Sequence, residues 1–268
     1  MLTHTSIPVA LHIIGDEKSW AIANKYLLDF QSRSTRVTDR QHRIIRQDVM
    51  TLANRLSPMV QAMQRQFSYK PGNYYSHPLF FLSLALHKVL PNTLDKVIML
   101  DADLKFNADV SDLYAEFSNF QESNVIGLAH EQQPVYRHTF QIYRDKHPGT
   151  SVGESLPNGH PGYNSGVLLL DLQRMRQSKL YNDLLDASRV EDLAKKYIFK
   201  GHLGDQDFFT LVSMEHMELF YTLPCNWNRQ LCQWWKNKGY QSVFDRYYNC
   251  TGTVHIYHGN CDTPIPVD

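Results

Sequence analysis

Two aspartates, Asp101 and Asp103, follow directly on the apolar run Val97-Ile98-Met99-Leu100. Two positions apart in extended chain, their carboxylates project to the same side. A parallel strand would release them at its carboxyl end, where α/β sheets bind their ligands. Paired hard oxygen donors in that place suit Mg²⁺ or Mn²⁺ bridging a diphosphate. An Asp-x-Asp pair by itself is often a solvated turn, so the chemistry depends on its companions.

Two reaction classes end an apolar strand in this pair. Aspartyl phosphatases use the first aspartate as nucleophile and usually carry Thr or Val at the fifth motif position, which here is Lys105. Nucleotide-sugar glycosyltransferases use the pair to hold an ion that neutralises the departing nucleoside diphosphate. They need a further metal ligand and a polar pocket, and the chain offers both. Tyr163-Asn164-Ser165-Gly166 sets an amide and a hydroxyl at the mouth of the apolar run Val167 to Leu170. Gly204-Asp205-Gln206-Asp207 opens a helix, with ordinary capping as the alternative reading of either aspartate. Val254 to Tyr257 reads as a strand running into His258-Gly259, where an imidazole could reach the ion and a glycine lets backbone approach a phosphate. His255 competes with His258. Three apart on a strand the two face opposite ways, so one of them is a ligand.

The elements that must position these groups alternate. Strands are expected at Val9 to Gly15, His42 to Val49, Val97 to Leu100, Val125 to Ala129, Gly166 to Leu172 and Val254 to Tyr257. Helices are expected at Glu17 to Phe30, Met50 to Phe67, Ser76 to Leu90 (with Ser76 as cap) and Asp205 to His216. A Pro/Gly-rich loop spans Pro148 to Gly162. Without repeats or low-complexity tracts, this predicts one α/β domain over 1–268 with a Rossmann-like, mostly parallel central sheet.

The 268 residues carry 27 basic and 27 acidic side chains, a net charge of zero that argues against nucleic acid or anionic membrane as partner. No apolar stretch approaches the roughly 20 residues of a spanning helix. All four cysteines, Cys225, Cys232, Cys250 and Cys261, fall in the last 44 residues. Two disulfides in an irregular region are the leading expectation; reduced thiols or a zinc site remain open, and four cysteines allow three pairings. Asn249-Cys250-Thr251 is also a glycosylation acceptor tripeptide.

The strings Leu100-Asp101-Ala102-Asp103, Tyr163 to Val167, Asp205-Gln206-Asp207 and His258-Gly259, in this order, resemble glycosyltransferase family 8, retaining enzymes of the GT-A fold. The resemblance covers essentially the whole chain. It extends to Gln133 to Phe140, Gly201 to Phe209, Trp227 to Cys232 and Ile256 to Cys261, which are similar to the branch that adds xylose to xylosyl-glucose on EGF-like repeats of Notch-type proteins. It implies that Asp101, Asp103 and His258 hold Mn²⁺, with Mg²⁺ an alternative, and that Ala102, Ser165, Leu203, Gln206 and Gly259 contact UDP-xylose. Gln206 would lie nearest the anomeric carbon with Asn164 close by, giving front-face substitution without a covalent intermediate. His138, Thr139, Phe140, Gln141, Trp235 and Asn260 would contact the acceptor. The implied disulfides are Cys225–Cys250 and Cys232–Cys261, and the implied location is the endoplasmic-reticulum lumen, as a type II membrane protein whose anchor lies outside this chain. Two departures stand out. No lysine occurs between Asn260 and Pro264, where relatives touch the diphosphate, and the first strand–helix unit of the family, which contacts uracil and ribose, is expected to be missing. A sugar-binding pseudoenzyme or another family 8 transferase is the alternative.

Overall fold

A computed structural model describes residues 1–268 except Val37, Tyr69, Pro71 and Asp268. Among the described residues nine strands form three sheets. β1 (Ala10–Gly15) and β2 (Arg43–Asp48) pair in parallel, linked by the helix Glu17–Arg33, which Asp16 caps by accepting from Ser19 N. The central sheet has the order β3 (Lys96–Leu100), β6 (Tyr163–Asp171), β5 (Ile126–His130), β7 (Phe220–Thr222). A third sheet joins β4 (Leu104–Phe106), β9 (Ile256–His258) and β8 (Arg229–Gln230).

The α/β fold expected from the sequence is the one that forms, with helices packed on both faces of the central sheet. Its ladders are mixed, however, because β6 runs antiparallel to both β3 and β5, while β5 and β7 are parallel. Two short helices and a loop connect β5 to β6, and they return the chain at the end it left: His130 pairs with Tyr163. Antiparallel neighbours need no crossover to the far edge. The consequence is functional. The first residues of β6 lie at the carboxyl ends of β3 and β5, beside Asp101, whose N–H donates to Gly166 O at 2.9 Å. Between Leu128↔Leu168 and His130↔Tyr163, β6 advances five positions against two on β5. That bulge turns Asn164, Ser165 and Gly166 out of the ladder and toward one another, a common device beside functional sites.

β6 is buried on both faces. Leu168 and Leu170 join a large core with Phe81, Leu84, Tyr136, Phe208 and Phe209, and Val167 and Leu169 join a second with Phe106, Leu113 and Ile256. The expected helix Met50 to Phe67 is broken at Leu56 into Val49–Arg55 and Ser57–Phe67, because Pro58 has no N–H to continue the ladder. Ser76 to Leu90 is not one helix either. Short segments Leu79–Leu82 and Leu86–Val89 flank a 3₁₀ turn, and Ser76 spends its hydroxyl on Asn73 O rather than on a cap.

All four cysteines are paired, Cys225 with Cys250 and Cys232 with Cys261, as the resemblance implies. The second bridge closes just beyond β8 and β9, where Leu231 N donates to His258 O at 3.0 Å. Replacing Cys232 and Cys261 together by alanine removes a 29-residue constraint on the unfolded chain. We expect this to cost about 3 kcal/mol in a urea titration and to weaken divalent-ion binding through the loosened β9.

Candidate active site

β4 and β9 bring the two ends of the site together. They pair antiparallel with Leu104 opposite His258, and Gly259 N donates to Asp103 O at 2.9 Å. One atom each of Asp101, Asp103 and His258 falls within a 4.8 Å cluster. His258 Nε2 lies 3.6 Å from Asp101 Oδ2 and 3.5 Å from Asp103 Oδ1. His255 instead stacks on Trp227 with ring centroids 4.4 Å apart, so His258 alone faces the aspartates.

The imidazole is buried and tightly seated. A Cβ on Gly166 would fall 2.3 Å from His258 Cε1, so only glycine fits there. The Nδ1 atom of His258 is 3.0 Å from Asn228 Oδ1. Asn228 Nδ2 donates to Asn164 Oδ1 at 2.9 Å, Gly166 N donates to the same oxygen at 3.1 Å, and Asn164 Nδ2 donates to Glu131 Oε2 at 3.1 Å. Glu131 Oε2 accepts from two amides, a role it keeps when the carboxyl is protonated on the unpartnered Oε1, so Glu131 fixes the orientation of Asn164. Asn164 then fixes Asn228, and Asn228 takes the Nδ1–H of His258. The lone pair on Nε2 is thereby aimed at Asp101 and Asp103. Two carboxylates and an oriented imidazole form a donor set that fits Mn²⁺ or Mg²⁺, with the outer hydrogen bond that such histidines carry.

Gln206 extends the network. Its Nε2 donates to Glu131 Oε2 at 3.2 Å and its Oε1 accepts from Ser165 N at 3.3 Å. Neither flanking aspartate is a simple helix cap. The helix Asp205–Ser213 is capped by Gly204 at φ +68°, where a Cβ would crowd Phe80. Asp205 accepts from Ser83 Oγ and, at 2.9 Å, from Ser165 Oγ. Asp207 accepts from Tyr136 Oη at 3.0 Å and Leu203 N at 2.7 Å. Burial pushes the carboxyls of Glu131, Asp205 and Asp207 up to about 7.

The structure therefore gathers Asp101, Asp103, Asn164, Ser165, Gln206 and His258 around one centre, with Ala102 and Gly259 beside the ligand residues in sequence, while Leu203 joins through its N–H on Asp207. The expected acceptor residues divide. The exposed His138 and the half-buried Trp235 form a ledge with ring centroids 5.0 Å apart, and His138 Nδ1 lies 2.8 Å from Tyr240 Oη. Phe140 is not on that surface: it is wholly buried against Tyr136, Tyr197 and Phe199, so its side chain serves the core. Thr139 bonds back to Val135 O, and Gln141 reaches toward Asp145. Asn260 Oδ1 accepts from Leu231 N and Cys232 N, both at 3.0 Å, tying β8 to the turn after β9. Beside Gly259, the room for a Cβ is taken by Ile265 and by Thr263 O.

Glu131 and Asn228 are the residues that sequence reasoning missed. Glu131 carried a usable signal, since His130-Glu131 follows an apolar strand just as Asp101 follows Leu100. Asn228 carried none, because its role exists only through partners 64 and 30 residues away.

Glu131 Oε1 is buried without a hydrogen-bond partner. With its folded-state value near 7 and the unfolded value near 4.5, folding takes up a proton in that window. Its contribution to stability is complete below pH 4.5 and is lost as pH rises toward 7. Thermal melts of the metal-free protein should show Tm falling over that range, and Glu131→Gln should flatten the slope.

The profile of glycosyl transferase family 8 matches residues 2–255. The chain is 50% identical over 258 residues to xyloside xylosyltransferase 1 of Mus musculus and 49% identical to that of Homo sapiens, in each case over 96% of this chain and 65% of the relative. The chain thus spans slightly less than two thirds of the length of those relatives. The crystal structure of the mouse xyloside xylosyltransferase 1 in its apo form superposes with a TM-score of 0.93 at 48% identity, over 99% of this chain and 90% of that one. The galactosyltransferase LgtC with donor and acceptor sugar analogues, at 14% identity and TM-score 0.51, shares the fold alone. The chain belongs to glycosyl transferase family 8.

Proposed function

We propose that this chain transfers xylose from UDP-xylose, with retention of configuration, to xylosyl-α-1,3-glucose on O-glucosylated EGF-like repeats of Notch-type proteins. The observation that carries this reading is the complete donor set Asp101, Asp103 and His258, oriented from Glu131, in a chain half identical to a xyloside xylosyltransferase. A divalent ion, Mn²⁺ by preference, would be held by those three side chains and would stabilise the leaving diphosphate. The two disulfides fit an oxidising compartment and support the lumen of the secretory pathway, in the first instance the endoplasmic reticulum. Among the described residues no helix is long and apolar enough to cross a membrane.

The residues of the chain divide the work. Ser165 would meet the donor beside Gln206, to which its N–H is bonded, Leu203 would contact it from the loop before Asp205, and the backbone of Ala102 lies between the two aspartates. Gln206 is held at both ends of its amide, so it meets the sugar as a fixed dipole rather than a mobile one. An amide is a poor nucleophile, which favours attack of the acceptor hydroxyl on the face that the diphosphate leaves. The buried carboxyls Glu131 and Asp207 are each engaged by donors from the protein, which disfavours either as a nucleophile. His138 and Trp235 offer flat faces for the C–H surface of the acceptor sugar.

The test is transfer from UDP-xylose to a xylosyl-glucose acceptor with Mn²⁺, with and without chelator. Trisaccharide should form and should vanish with the chelator. Gln206→Ala should lower kcat by about 10²–10³ while UDP binding persists. Isolation of a glycosyl-enzyme would refute the front-face route. UDP-xylose binding without transfer would indicate a sugar-binding pseudoenzyme, and Mn²⁺-independent phosphate release a phosphatase.

A further inference from the structure

A cleft of about 450 Å³, with neither metal-site aspartate in its lining, lies between the helix Gln141–Lys146, the loop 149–159 and the helix Gln241–Tyr248. Arg144, Glu154 and Arg246 are its charged walls, with Ser151 and Asn158 among the polar ones. The Glu154 carboxylate lies between the guanidiniums of Arg144 and Arg137, one negative charge serving two positive ones. Arg246 is exposed and has no ion-pair partner among the described residues. Three guanidiniums against one carboxylate leave a local charge of +2 in a chain whose total is zero. The acids on the flanking helices are balanced separately: Asp245 is paired with Lys236, and the charge of Asp145 is offset by the adjacent Lys146 of the same helix.

The cleft is built rather than incidental. Burial opposes ionisation of Glu154, but the two guanidiniums outweigh it and hold the carboxyl low. Tyr247 Oη donates to Gly153 O at 2.7 Å, Gly153 N donates to His160 O at 2.9 Å, and Arg144 donates to Val152 O. A Cβ on Gly153, at φ +71°, would lie 2.7 Å from Tyr136 O, so the loop is pressed onto the core. Walls fixed in advance lose little entropy on binding.

Position supplies the remaining argument. Arg137 is the neighbour of His138 in the helix Val135–Thr139, and the positive field of Arg137 and Arg144 reaches Tyr240, the partner of His138 on the aromatic ledge. The ledge suits a sugar, and the cationic cleft adjoins it through Arg137, which neighbours His138 and shares Glu154 with Arg144. We propose that this cleft is a docking subsite for an acidic segment of the polypeptide that bears the acceptor sugar. This rests on the transfer reading above and adds to it the chemistry of the protein part of the acceptor. Charge complementarity at such a rim acts on encounter and on KM more than on turnover.

The experiment compares two acceptors, a free xylosyl-glucose glycoside and the same disaccharide on a folded EGF-like domain, with wild type, Arg246→Glu and Arg246→Lys. For wild type, the polypeptide acceptor should have the lower KM, and added salt should erase the advantage. Arg246→Glu should raise KM for the polypeptide acceptor by about three- to tenfold, leave kcat alone and leave the free glycoside unaffected, which also shows that the variant folds. Arg246→Lys should restore most of the affinity. An equal change on both acceptors, or none on the polypeptide acceptor, would overturn the docking subsite while leaving transfer intact. Turnover of neither acceptor by wild type would overturn the transfer reading and this inference with it.

Discussion

The site depends on one buried carboxylate. Glu131 is almost entirely withdrawn from water, yet it is not paired with a cation; amide N–H groups of Asn164 and Gln206 satisfy one of its oxygens. Carboxamides are ambiguous hydrogen-bonding groups, and a chain of them has two self-consistent directions. An acceptor at one end removes the ambiguity. The direction set at Glu131 passes through Asn164 and Asn228 to the imidazole of His258, and through Gln206 to the backbone of Ser165. A metal-facing nitrogen and the amide nearest the expected reaction centre are thus oriented from a single origin. Losing a partner in such a network costs about 1–3 kcal/mol per stranded buried group, more than most individual contacts supply.

That origin works only if distant segments stay in register. Glu131 follows β5, Asn164 lies in the bulge of β6, Asn228 precedes β8 and His258 ends β9. The strands are stitched where they carry these residues: Gln132 Nε2 donates to Asn228 O at 2.8 Å, Gln132 N donates to Gln230 Oε1 at 2.9 Å, and Gln230 Nε2 returns to His130 O at 3.0 Å. The disulfides tie the segments of the same C-terminal region to one another, on either side of β8 and β9. Gly166 allows the imidazole to lie on β6 at contact distance. The arrangement is preorganised, which is what a site stabilising developing charge requires.

Much of this was legible in the sequence, and the legible part shares a cause. Asp101 and Asp103 stand out because charge directly after four apolar residues is costly unless the strand opens onto a site. Strand positions follow from apolar runs, and the bridged cysteines from their confinement to one region. The direction of β6 was not legible. A strand buried on both faces presents the same continuous apolar run whichever way it runs. The break in the helix near Ser83 was hidden for a related reason, since that hydroxyl is committed to Asp205, 122 positions away. Phe140 lies in a string whose resemblance implies an acceptor surface, and only the packing of Tyr136, Tyr197 and Phe199 shows its side chain in the core. Local pattern reveals where charge and apolar surface change places; it does not reveal which distant amide completes a network.

The central claim is that His258 presents Nε2 to the aspartates because Asn228 holds Nδ1–H. Nitrogen-15 NMR of the imidazole in the metal-free protein at neutral pH tests this most directly. The account predicts the Nδ1–H tautomer in the wild type and loss of that preference in Asn228→Ala. A wild-type imidazole carrying its proton on Nε2, or a tautomer indifferent to the Asn228 substitution, would contradict it.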